Sequence, residues 1–264
     1  MTATPQAADH GCADPHDHTG HDHPPTGADV VRDLVRGLSV LALVLPALGL
    51  VLLLAILPLA PSSILVLALG LALGAAQLLV LVVTSLFVAR TKPRLAVNPG
   101  LMAVRSAADE ALRVAAVLLA LLLWPDDARS ELGVWLGAGA ALVWLALATA
   151  QTVSTRLRIS RPSEWSKQAV ATLLSERVTP RSTVLMRLLD VLGTVLFQLG
   201  ATVLVILAPV MVVGTAVLSI GSGLATLVLQ RRTPAERLRS PWAYAPFIIG
   251  LLTLGLAVLG LTTL

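Results

Sequence analysis

Residues 35–57 read VRGLSVLALVLPALGLVLLLAIL, and residues 64–89 read ILVLALGLALGAAQLLVLVVTSLFVA. Apart from Arg36, neither run contains a charged side chain. As a helix, each is long enough to match a hydrocarbon slab of about 30 Å. Pro58, Pro61 and Ser62 between them supply a short turn, and Arg90, Lys92, Pro93 and Arg94 close the second run. In lipid the backbone N–H and C=O groups have no water to bond, so a spanning segment satisfies them internally as a helix. The pair therefore reads as a transmembrane helical hairpin, and the fold class that follows is an all-α, polytopic transmembrane bundle.

The same test of apolar length locates further runs at 107–124, 132–153, 188–208, 210–229 and 242–264. The apolar stretch from 188 to 229 is about twice a bilayer thickness, and Pro209 is where it divides. The run at 107–124 is the weakest, because Asp109, Glu110 and Arg113 occupy its first two turns. Those charges are expected near the headgroups, where long side chains reach water. The reading is seven spans, with a shallow re-entrant third segment as the variant.

Charge tests this assignment independently. With the amino terminus inside, Arg129 is the one outer residue among 19 Lys and Arg, and the outer segment 126–131 is acidic on balance. That asymmetry is a positive-inside signal and puts the carboxyl terminus outside. Without a turn at Pro209 the last run would reverse and the agreement would fail. Composition agrees: 56% of the 264 residues are hydrophobic and 13% charged, about half the charge of a soluble domain. The calculated pI is 10.2, yet aromatics make up only 3%, so the positive charge lacks the stacking surface of a nucleic-acid binder. One cysteine, Cys12, precludes an intramolecular disulfide, and residues 1–29 show neither the basic start nor the apolar core of a secretory signal. Arg over Lys, with Ala, Leu and Val dominant, suggests a GC-rich bacterial gene and hence a multi-pass protein of the bacterial plasma (inner) membrane.

Residues 1–33 form a polar tail, expected to be disordered and cytoplasmic. All five histidines fall there, at His10, His16, His18, His21 and His23, interleaved with Asp residues and accompanied by Cys12. Free imidazole titrates near 6.5, so at cytoplasmic pH its ring nitrogen is open to a metal ion. Imidazole with carboxylate suits zinc, nickel, cobalt or copper(II) better than magnesium. The spacing matches no closed zinc-finger pattern, and Pro and Gly keep the segment extended, so the metal site would be fluxional. The plainer reading is a solvated tail of biased composition.

Between the spans, the inner loop 156–187 offers a short helix with Ser163 as N-cap and Glu164 in its first turn. Trp165, Ala169 and Leu173 recur four apart on one face. With Arg177 nearby, that helix suits either the inner leaflet or a cytoplasmic or membrane partner subunit. Inside the runs, Gly70 with Gly74 and Gly133 with Gly137 have the spacing that lets backbones approach closely, or else line a smooth lipid-facing stripe. Gln77 and Gln198 lie near mid-depth, as interhelical hydrogen bonds or a weak polar lining. Asp190 follows Arg187 by one turn, which predicts an interfacial ion pair, with a proton-coupling carboxylate as the other reading.

The runs contain no histidine or cysteine, and the chain carries no HExxH, GxxxxGK[ST] or GxSxG motif, so no enzyme is expected. Two functions remain. One is a transport-type role linked to divalent metal through the tail. The other is a non-catalytic membrane subunit or scaffold that recruits its partner through 156–187, with the tail incidental.

Overall fold

The computed structural model describes residues 27–59, 61–91, 98–161, 163–176 and 178–263. The histidine tail with Cys12, and Arg177 in the inner loop, lie outside the described residues. The elements are α1 (Gly27–Ile56), α2 (Leu65–Thr91), α3 (Pro99–Leu123), α4 (Arg129–Ser160), α5 (Glu164–Ser175), α6 (Pro180–Leu207), α7 (Met211–Gln230), α8 (Pro234–Arg239) and α9 (Ala245–Thr263). Six of them, α1, α2, α4, α6, α7 and α9, are long and apolar enough to cross a membrane, and the chain is an integral membrane helical bundle.

Several helices begin earlier than apolarity alone indicates. The buried stripe of α1 runs Val30, Leu34, Leu38, Leu41 and Leu45, at the three-to-four-residue spacing of a helix, so its first turns come from the polar segment. The inner loop is likewise mostly helix. It holds the last turn of α4, all of α5, and the first turns of α6 after the Thr179 N-cap and Pro180. The division at Pro209 stands as expected, with α6 ending at Leu207 and α7 starting at Met211.

α4 is the axis of the molecule, since every residue from Leu132 to Ala141 is buried. A helix apolar on all sides has to be surrounded by other helices. It lies in a row α2–α4–α6–α9, with α1 packed over α4 and α6 and with α3 and α7 covering the other face. Glycine sets the closest approaches in the row. A Cβ on Gly70 would stand 2.3 Å from the Leu136 carbonyl oxygen, and one on Gly139 would stand 2.6 Å from that of Leu67. Gly74 meets Ala140 and Val143, while Gly133 and Gly137 face Val203, Ile206 and Leu199, so all four predicted glycines lie at helix contacts. The contact of α6 with α9, through Gly193 and Gly250, has no counterpart in the sequence reading: a Cβ on Gly250 would stand 2.3 Å from the Gly193 carbonyl oxygen.

These contacts also fix helix direction. Gly70 against Gly139 and Gly74 against Val143 make α2 and α4 parallel, and Gly193 against Pro246 with Gly200 against Leu254 does the same for α6 and α9. Gly133 against Val203 and Gly137 against Leu199 make α4 and α6 antiparallel. At one end of the bundle the α1–α2 and α3–α4 turns meet, where the Ser62 backbone N–H and hydroxyl donate to Asp127 Oδ2 at 3.1 and 2.8 Å. α3 therefore runs the full length of the bundle beside α2.

Candidate functional site: a charged cluster inside the bundle

The span read at 107–124 is a helix that starts at Pro99, and that difference relocates its charges. Asn98, Pro99 and Gly100 form a helix start: the Asn98 side chain accepts from the Gly100 N–H at 2.8 Å, and Pro99 occupies a position needing no N–H donor. With 25 residues at about 1.5 Å each, α3 spans about 37 Å, and Glu110 lies close to its midpoint. The expectation that Asp109, Glu110 and Arg113 sit near the headgroups is thereby corrected. Arg113 also leaves the tally of basic residues at the inner end.

Glu110 is 3% exposed and Arg113 1%. They stand one turn apart and form a direct ion pair on the inward face of α3. Two other helices complete the pair. Arg113 Nη2 donates to Gln198 Oε1 on α6 at 2.8 Å, and the Thr215 hydroxyl on α7 donates to Glu110 Oε2 at 2.8 Å. The guanidinium also lies over the Phe197 ring, 5.3 Å from its centroid, where the ring face attracts a cation. A buried ion pair is tolerated only when its remaining donors and acceptors are met, and here α6 and α7 meet most of them.

The satisfaction is incomplete. Arg113 Nε and Asp109 Oδ1 are buried and have no hydrogen-bond partner among the described residues. Asp109 lies on the side of α3 toward α2, where Gln77 Nε2 reaches its main-chain oxygen at 3.5 Å. Gln77, 1% exposed, in turn accepts from Trp144 Nε1 on α4 at 3.3 Å. Gln77 and Gln198 thus make interhelical contacts as expected, and both are joined to the charged residues of α3. Thr215, Trp144 and Phe197 were missed by sequence reasoning. The i, i+3 spacing of Glu110 and Arg113, and the Asn-Pro-Gly start before them, were the signals available.

The remaining predicted residues lie at the basic end. Asp190 pairs with Arg187 at 3.8 Å as expected, and Arg187 also donates to Gln151 on α4. α5 has its Ser163 N-cap, closed into a reciprocal box with Ser166. Its inward face is Ser166 and Val170 rather than the expected stripe, because α1 lies against it at Gly27. Leu173 packs on Leu34, Leu38 and Ile159, while Trp165 is 48% exposed. Among the described residues no group of three or more His, Cys, Asp or Glu is placed to hold a metal ion. No family model matches this chain, and neither does any curated protein or solved structure.

Proposed function

We propose that this chain is a transport-type protein of the bacterial plasma membrane, crossing it seven times with α3 among the crossings and the amino terminus inside. The observation that carries the reading is the Asp109–Glu110–Arg113 cluster halfway along α3, with a buried carboxylate oxygen that has no hydrogen-bond partner among the described residues. Ionisable groups at that depth are costly, and where they occur they most often mark an ion or substrate pathway. With Arg105 beside Asp109 counted and both carboxylates ionised, the cluster sums to zero, so it is the unpartnered Asp109 oxygen rather than a net charge that suits a cationic cargo or a coupling proton. Glu110 and Arg113 are the fixed part, clamped by Gln198, Phe197 and Thr215. Asp109 is the less clamped part, with Arg105 and Arg113 as its neighbouring charges and Gln77 at its main-chain oxygen.

The amino-terminal arm fits the same role. His10, Cys12, His16, His18, His21 and His23 would gather a divalent ion, namely zinc, nickel, cobalt or copper, and raise its concentration at the inner face. Catalysis has no part in this reading.

The test is metal content and metal tolerance of cells expressing the intact chain, a chain lacking residues 1–26, or Asp109→Asn. Both variants are expected to shift metal content in the same direction. Unchanged content in the truncated chain would dispose of the metal arm, and unchanged content with Asp109→Asn would dispose of the cluster as a pathway.

A second reading, the scaffold, is favoured by Trp165, a large aromatic exposed on a capped helix at the basic end of the bundle. Loss of a co-purifying partner on Trp165→Ala, with metal content unaltered, would select it.

A further inference from the structure

A groove of about 700 Å³ opens at the basic end of the bundle between α1, α4 and α6. Leu38 and Val184 form its apolar side, and Gln151, Thr155, Arg158 and Arg187 its polar side. A second, smaller cavity of about 130 Å³ shares Gln151 and Arg187 and ends at Asp190 and Thr194.

The two arginines differ in what already holds them. Arg187 is oriented by Gln151 and Asp190. Arg158 makes no hydrogen bond or ion pair among the described residues. Asp190 offsets one guanidinium, so the groove keeps one positive charge. It therefore presents one fixed and one unengaged guanidinium, hydroxyl and amide donors, and an apolar flank, at the basic end of the bundle that the positive-inside bias assigns to the inner leaflet.

We infer that this groove binds the phosphodiester of an anionic phospholipid from the inner leaflet. Guanidinium groups match phosphate oxygens in shape and charge, and a phosphodiester carries the single negative charge that the groove is left to balance. A free phosphate, closer to two charges near neutral pH, fits that balance less well and leaves Leu38 and Val184 without a role. Basic pockets between helices on the cytoplasmic side are suited to such headgroups. The inference rests on the orientation of the bundle and not on transport, so it stands or falls apart from the α3 cluster.

The test uses the full chain in mild detergent, titrated with phosphatidylglycerol or with phosphatidylcholine of the same acyl chains, with bound lipid read by native mass spectrometry. Phosphatidylglycerol is expected to occupy the protein at lower concentration than phosphatidylcholine. Arg158→Gln should weaken it about fivefold, the effect of one basic residue near a membrane surface. Arg158→Glu should weaken it further, and Arg158→Lys should restore most of the binding. Arg239→Gln on α8 removes the same charge from the same end and should leave binding unaltered. Arg158 is exposed and its side chain has no partner among the described residues, so its variants are expected to keep the fold. Equal retention of the two lipids, equal effects of Arg158→Gln and Arg239→Gln, or displacement of phosphatidylglycerol by excess inorganic phosphate would each overturn the assignment. The last outcome would name a soluble anion as the occupant.

Discussion

Arg113 and Glu110 illustrate how a single register decides what a charge does. Placed in the first two turns of a helix they would be solvated side chains. Placed midway along α3 they are buried and depend on each other. Removing one partner of a buried pair leaves the other uncompensated, at a cost of about 3–5 kcal/mol. Glu110→Ala is therefore expected to lower thermal stability in detergent sharply. Thr215→Val, which removes one interhelical hydrogen bond, should cost about 0.6–2 kcal/mol. The double change Glu110→Leu with Arg113→Met separates stability from function. Replacing both charges by apolar groups of similar volume is often neutral. The double variant should recover most of the stability lost by Glu110→Ala while still disturbing cellular metal content. Recovery of both would reduce the cluster to a structural clamp.

At the scale of elements, backbone proximity rather than side-chain interdigitation joins the row α2–α4–α6–α9. Gly139 is a demanding site, because a Cβ there would stand within 2.8 Å of the α2 backbone at Leu67, Gly70 and Leu71 at once. Gly139→Ala should cost about 1–3 kcal/mol by forcing the two helices apart. Gly255→Ala on α9 meets nothing within 4 Å and should not lower stability. Thermal unfolding of the two variants side by side checks the contrast, and an equal loss in both would contradict the contact. The glycine pairs on α2 and α4 were legible because they recur four apart in otherwise apolar helices. Gly193 and Gly250 were not, because neither has a second glycine four residues away and only the partner helix makes it matter. The α5 cap was legible for a local reason, since Ser163 satisfies donors within its own turn. Which face of α5 turns inward was not, because α1 decides it.

For the whole molecule, the helix directions carry a prediction about sidedness. Cys12 is the one cysteine, so labelling reports one position at a time once it is replaced. A membrane-impermeant thiol reagent applied to intact cells should miss Cys12 in the natural chain. With Cys12→Ser as background, it should miss Asn98→Cys and reach Ser62→Cys and Asp126→Cys. Labelling of Asn98→Cys and Asp126→Cys from the same side would mean that α3 does not cross. Labelling of Cys12 from outside would invert the bundle and move the lipid groove to the outer leaflet.

Apolar length, helix stops and the bias of basic residues are properties of contiguous sequence. They were enough to establish an all-helical membrane bundle and the turn at Pro209, but not where the first helix leaves the polar segment, since α1 already starts at Gly27. Depth and partnership are not contiguous properties. Whether Glu110 lies at a surface or in the interior depends on where α3 begins and on Gln198 and Thr215, 88 and 105 positions away. The hydrophobic effect writes its pattern along the chain, whereas a buried charge is tolerated only through groups that other helices bring to it, and only the folded bundle assembles those.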